Sequence, residues 1–178
     1  MSPAEFDDLY KEYKSSVYGL ACYLTRNKSE AEDLFQETWL RVTENLHKIS
    51  RAKDIKAWII TIAVNLYRDE LRKKRIRKMF SLKRSTDSSH NDEIFNDALW
   101  GQKSNTTNET NRADLGRAIS QAMSNLPDRQ RLVFILKEIK GFKHWEIAEI
   151  LGIPTGTVKT LQHRAIKRLQ REFGVSTP

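Results

Sequence analysis

The sequence predicts an all-α protein of two small helical domains joined by a flexible linker. Three observations carry that expectation. Only 7 Gly and 4 Pro punctuate 178 residues, too few for a chain that must turn every few residues to build sheets. Apolar residues recur at helical spacing over residues 4 to about 80 and again from 113 to about 173. Between these stretches, residues 85–112 hold 13 Ser, Thr or Asn in 28 positions, with 5 acidic and 2 basic residues. Such a segment buries too little apolar surface to offset the entropy of ordering it. The expected division is 1–80, a linker over 81–112, and 113–178. Within the linker, Ile94, Phe95, Ala98, Leu99 and Trp100 are an apolar exception that fits a short docked helix.

Charge narrows the class of partner. The formal net charge is +8, which favours nucleic acid or an anionic surface. Cys22 is the only cysteine, so neither an internal disulfide nor a multi-cysteine zinc site is available. It lies in the apolar run from Leu20 to Leu24 and reads as a small buried hydrophobe. Four scattered histidines give no metal-ligand spacing, so no metal and no cofactor are expected. No run reaches the ~18 apolar residues of a membrane span, and the first residues lack a basic segment followed by an apolar one. A cytoplasmic protein is the expectation.

In the C-terminal part, Leu126-Pro127-Asp128 stops one helix and starts another, with Asp128 suited to cap it. Leu132, Ile135, Leu136 and Ile139 then share one face, and Gly141 suits the left-handed residue that closes a helix. Ile147, Ala148 and Leu151 give the inner face of a short helix beginning at His144. Gly152 and Ile153 fit a tight turn, and a second helix starts near Thr155 with Val158, Leu161 and Ala165 inward. This is the spacing of a DNA-reading helix-turn-helix. The residues left on the outer face of the second helix are Lys159, Thr160, His163, Arg164 and Lys167, suited to phosphates and base edges. The plainer alternative is a helical hairpin with a solvated basic face.

In the N-terminal part, Ile55, Trp58, Ile59, Ile62 and Leu66 mark one face of a helix. Thr61, Asn65, Arg68 and Arg72 line another, with Asp69 one turn beyond Asn65. Such a row can hydrogen-bond single-stranded or partly opened DNA. Residues 68–84 then carry nine Lys or Arg and two acids, a run that can track a phosphate backbone. The preceding loop, Ser50 to Asp54, is polar enough to receive a flipped base. Upstream, Ser29 and Glu32 make a capping-box pattern, and Phe35, Trp39, Val42 and Leu46 an apolar stripe. Asp33, Gln36, Glu37 and Arg41 lie off that stripe, a largely acidic face that suits a protein partner with a basic helix. A solvated face is the alternative for each of these helices.

At this point the residues resemble a known family. Ala31 to Arg41 resembles the core-binding helix of sigma region 2. Ala57 to Asn65, followed by Arg68, Asp69 and Arg72, resembles the helix that reads and melts the −10 element. Leu126-Pro127, Pro154 to Lys159 and His163-Arg164-Ala165 resemble region 4. The chain is thus similar to extracytoplasmic-function (ECF) sigma factors of the sigma-70 family. The resemblance implies that residues 33–46 dock on the clamp helices of the polymerase β′ subunit and that region 4 meets the β flap. It implies that Asn65 and Asp69, with the loop at about 50–56, recognise the −10 element and trap a non-template base. Lys137, Lys159, Thr160, His163 and Arg164 sit where the family reads the −35 element. The linker is expected to thread near the RNA exit path, and an anti-sigma factor is an expected partner. Departures from the family pattern are Thr160-Leu161, where Ser-Arg is frequent, and Gln162, where an apolar residue is usual.

Two other readings compete. One is a helix-turn-helix regulator acting without core polymerase; the basic run beside the Asn65 helix argues against it. The other is a DNA-processing enzyme, which needs a positioned nucleophile or a carboxylate metal cluster. Tyr67 near Arg68 and Arg72 is the nearest candidate and has no separate support. No glycine-rich phosphate loop is present, no small-molecule substrate is implied, and the chain is expected not to be an enzyme.

Overall fold

The computed structural model describes residues 3–25, 27–51, 54–81 and 121–174. Residues 82–112 of the expected linker, including its apolar patch and the last two cations of the basic run, Lys83 and Arg84, lie outside that set, as do Arg26, Ala52, Lys53 and residues 113–120. The described residues are helical, with no strand among them. They fall into two compact units.

The N-terminal unit is built from α1 (Pro3–Leu24) up to Ala21, α2 (Lys28–Glu44), a 3-10 segment (Leu46–Arg51) and α3 (Ile55–Ser81). Leu9, Val17, Trp39, Val42 and Ile59 form its core, with Phe6, Tyr10, Phe35 and Trp58 packed against them. Trp39 is the hub of an aromatic cluster. Its ring centroid lies 4.8 Å from Tyr10 and 6.0 Å from Phe6, both edge-on. Edge-to-face pairs add stabilisation beyond the area they bury. Cys22 is buried.

Two sequence expectations shift here. The cap of α2 is Asn27 rather than Ser29: in extended backbone, its Oδ1 accepts the Glu30 backbone N–H at 2.8 Å. Ser29 falls inside the first turn. The apolar arc of α3 is also wider and differently centred than Ile55, Trp58, Ile59, Ile62 and Leu66. Ile59, Ile60, Ala63, Val64 and Tyr67 are buried, while Ile55, Trp58, Ile62 and Leu66 are half-buried flanks. The near-continuous apolar run Ala57–Val64 leaves the phase of the helix open, and packing against α2 decides it.

The C-terminal unit contains helical residues 121–124, α4 (Asp128–Phe134), a π turn (Ile135–Ile139), α5 (His144–Leu151) and α6 (Thr155–Glu172). Asp128 does not cap α4. The N-cap is Pro127, and Asp128 lies in the first turn, where it accepts from the buried Arg131 guanidinium at 3.5 Å. The π turn, closed by the Lys140 N–H to the Ile135 carbonyl at 3.0 Å, shifts the helical register. Ile135 and Leu136 stay buried and Ile139 becomes half-buried. Gly141 and Gly152 take φ of 77° and 63°, left-handed values that let the chain turn out of one helix and into the next. In α5 the buried set is Ile147, Ile150 and Leu151, with Ala148 half-buried, so Ile150 joins the inner face and Ala148 sits at its edge. α6 packs on both α4 and α5, through buried Val158 and Ala165, while Leu161 is half-buried.

Candidate nucleic-acid and protein interfaces

On α2, Asp33, Gln36 and Arg41 are exposed and Glu37 is half-buried. They form one polar face, opposite buried Leu34, Thr38 and Val42. Arg41 is held within its own helix: Nε donates to Glu37 at 3.1 Å and a terminal nitrogen donates to Glu44 at 3.0 Å. Its charge is thereby balanced, and the face keeps a net acidic character. Leu40, 53% exposed, sits beside Glu37 and Arg41, a placement that the sequence pattern does not mark. An exposed leucine ringed by charges gives this face an apolar centre, the usual anatomy of a protein-docking patch.

On α3, the residues predicted to share a face do so, with graded exposure. Asn65, Asp69 and Arg72 are exposed; Thr61 and Arg68 are half-buried. The Thr61 hydroxyl donates to the Ala57 carbonyl at 2.7 Å, so its proton is committed and its oxygen remains an acceptor. Asp69 accepts from Arg72 at 3.3 Å. Asp54 caps the start of the helix by accepting the Ala57 N–H at 3.0 Å. Ser50 and Arg51 belong to the 3-10 segment, while Ala52 and Lys53 of the expected loop lie outside the described residues. Tyr67, the nucleophile that an enzyme reading would need, is buried.

The basic end of α3 is partly balanced. Lys74 pairs with Glu30 of α2, Arg77 with Glu70 at 2.6 Å, and Lys73 with Glu70 at 3.8 Å. An apolar stripe runs through it: Ile76, Met79 and Phe80 are exposed at offsets of three and four.

On α6, Lys159, Thr160, His163, Arg164 and Lys167 are all exposed on the side away from Val158 and Ala165. The Thr160 hydroxyl donates back to the Gly156 carbonyl at 3.0 Å. Among the described residues no carboxylate pairs with Lys159, His163, Arg164 or Lys167, so this face keeps its positive charge for an external anion. Lys137 lies in the π turn, half-buried, off the recognition helix. Gln162 does not join the outward set. It is half-buried and hydrogen-bonds Glu138 and His144. The sequence marks it as a departure from an apolar position but gives no hint of those partners. No helix among the described residues is long and apolar enough to cross a membrane.

Comparison with known proteins gives these faces a common frame. Residues 9–76 match the family model for Sigma-70 region 2, and residues 116–169 the model for Sigma-70, region 4. The ECF RNA polymerase sigma factor SigW of Bacillus subtilis (strain 168) is 31% identical over 170 residues, covering 94% of this chain and 88% of that protein. SigL of Mycobacterium tuberculosis (strain H37Rv), also an ECF RNA polymerase sigma factor, is 33% identical over 172 residues, covering 94% and 90%. Among solved structures, the sigma factor RpoE in complex with the anti-sigma factor NepR from Bartonella quintana shares the fold. Its TM-score is 0.74 at 24% identity, over 97% of this chain and 99% of that one. CnrH, solved with the cytosolic domain of CnrY, has a TM-score of 0.63 at 17% identity, over 99% and 92%. Two family models in order, with relatives matched along most of their length, settle the lineage: the chain belongs to the ECF sigma factors of the sigma-70 family.

Proposed function

We propose that this chain directs core RNA polymerase to specific promoters, reading the −35 element with α6 and the −10 element with α3. The observation that carries the proposal is the outward face of α6, where four basic side chains and a hydroxyl lie together with no carboxylate partner among the described residues. Such a face supplies both phosphate anchoring and base-edge donors. Lys159, Thr160, His163, Arg164 and Lys167 contact the −35 element, with Lys137 at its margin. Asn65, Thr61, Arg68, Asp69 and Arg72 contact the −10 element. Residues 1–80 act as the core-binding and melting module, 81–112 as the tether and 113–178 as the −35 module.

The acidic face of α2 takes the polymerase. Asp33, Gln36, Glu37 and Arg41 surround Leu40 and meet the clamp helices of the β′ subunit, and the C-terminal module meets the β flap. Charge complementarity steers the encounter, and the apolar centre supplies burial. Promoter opening then draws on binding energy and base capture, not on nucleotide hydrolysis; the chain is not an enzyme and needs no cofactor. It works in the cytoplasm. Since the fold is that of RpoE, solved with NepR, and of CnrH, solved with the cytosolic domain of CnrY, an anti-sigma factor is the expected keeper of this chain.

The test is physical association. The purified full chain, mixed with core polymerase, co-elutes with it at one-to-one stoichiometry, and charge reversal of Asp33 and Glu37 together weakens that association at least tenfold. A chain that binds promoter DNA alone as tightly as with core polymerase is instead an independent regulator.

A further inference from the structure

We propose that Gln162, with Glu138 and His144, is a polar brace that sets the rotation of the recognition helix and so positions the residues that read the upstream promoter element. The inference rests on the −35 reading of α6 and names a residue that does not itself reach DNA.

Val158, Gln162 and Ala165 are spaced i, i+4 and i+7 and therefore share the inward face of α6. Val158 and Ala165 are fully buried but small, and they lie two turns apart. Half-buried Leu161, Ile166 and Leu169 flank them, and such apolar contacts do not by themselves select one rotation of the helix. The central position between them is where an apolar side chain would complete the stripe. Here it holds a half-buried amide instead.

That amide is engaged at both ends. The Gln162 Nε2 donates to Glu138 Oε1 at 2.5 Å, and the Gln162 Oε1 lies 2.6 Å from His144 Nε2. An amide oxygen only accepts and an amide nitrogen only donates. With the carboxylate of Glu138 fixing the nitrogen end, the oxygen must receive a proton, so His144 Nε2 carries one and donates. The chain of bonds has one direction, from His144 to Gln162 to Glu138. It ties three separate pieces of the unit: the first residue of α5, the middle of α6 and the π turn after α4.

Hydrogen bonds are directional where apolar contacts are not. A leucine at 162 could satisfy the same volume over a range of rotations, whereas two opposed bonds, one to the exposed Glu138 and one to the half-buried His144, favour one. Lys159 is one turn before Gln162 and His163 immediately follows it, so their bearing toward a DNA groove depends on that rotation. Base-edge contacts carry the sequence information and need alignment within hydrogen-bond geometry, whereas phosphate contacts carry none directly. Loss of the brace therefore degrades discrimination before it degrades affinity.

The experiment uses the full chain with core polymerase and a promoter pool randomised in the upstream element. Four proteins are compared: wild type, Gln162→Leu, Glu138→Gln and Glu138→Leu. Wild type enriches one preferred sequence. Gln162→Leu keeps its thermal midpoint and its binding to non-specific DNA, but its preference for the best site over single-base variants falls about tenfold, the scale of one lost bidentate base contact. Glu138→Gln keeps an acceptor oxygen for the amide and stays within about twofold of wild type, while Glu138→Leu follows Gln162→Leu. A Gln162→Leu protein as selective as wild type overturns the brace while leaving the promoter reading intact. So does one that loses midpoint and all DNA binding in step, if Glu138→Leu, with residue 162 untouched, remains selective. A wild-type chain that enriches no sequence overturns the promoter reading itself, and the brace with it.

Discussion

In the N-terminal unit, α3 buries Ile59, Ile60, Ala63, Val64 and Tyr67 behind the face that carries Asn65 and Asp69. In the C-terminal unit, α6 buries Val158 and Ala165 behind the face that carries Lys159, His163 and Arg164. The first helix is set in place by a broad apolar arc and an aromatic cluster around Trp39. The second is set by buried Val158 and Ala165, half-buried Leu161 and a chain of polar bonds through Gln162. The charges differ in parallel. Cations of α3 are balanced in part by Glu30, Asp69 and Glu70, whereas the outward cations of α6 have no carboxylate partner among the described residues. On the proposed roles, a surface that holds polymerase and opened DNA gains from a rigid base, and one that searches for a duplex site gains from unbalanced charge.

The largest effect that would break this contrast is in the aromatic core. Trp39→Ala should destabilise the N-terminal unit by about 3–5 kcal/mol, read by urea unfolding followed by circular dichroism. A loss below about 1 kcal/mol would mean that the aromatic cluster is not what fixes α3. Next, Arg164→Ala should weaken binding to the upstream element by about 1–3 kcal/mol without moving the thermal midpoint. Lys159→Ala should lower the slope of log affinity against log salt by about 1. Promoter affinity unchanged in both would remove the α6 face from recognition.

Asn65→Ala should slow promoter opening roughly tenfold, about one hydrogen bond to a base, while core-polymerase affinity stays within about twofold. Loss of core binding would transfer Asn65 to the α2 interface. The smallest effect concerns Glu70, which holds Arg77 and Lys73 on an exposed surface. Glu70→Gln should change stability by less than about 0.5 kcal/mol, as exposed pairs do, yet tighten non-specific DNA binding a few-fold by releasing two cations. Binding that weakens instead would show that the basic end of α3 does not face nucleic acid.

Much of this was legible in the sequence, and the exceptions have physical causes. The all-α class and the helix-turn-helix follow from local rules: the 126–127 break, the left-handed glycines at 141 and 152, and the spacing of Val158 and Ala165. The outward set on α6 follows by subtraction. Ser29 looked like the cap of α2 because Ser-x-x-Glu is a local pattern, but Asn27 has the extended backbone that a cap requires, and a pattern does not report φ and ψ. The phase of α3 was unreadable because an apolar run with one interruption fits several faces equally. The π turn at Ile135–Ile139 inserts a register shift that no period reveals. Gln162 stood out by identity, yet Glu138 and His144 lie 24 and 18 residues away, so its bonds exist only once the unit has folded. Leu40 carries no signal in the sequence, because a single leucine on a helix does not reveal whether it faces core or solvent.

The central claim is that one chain joins a polymerase-docking face to two DNA-reading faces. Run-off transcription with core polymerase, the full chain and a pool of randomised promoters tests it most directly. The account predicts transcripts from discrete start sites whose templates share two elements at fixed spacing. Transcripts indistinguishable from those of core polymerase alone would contradict it.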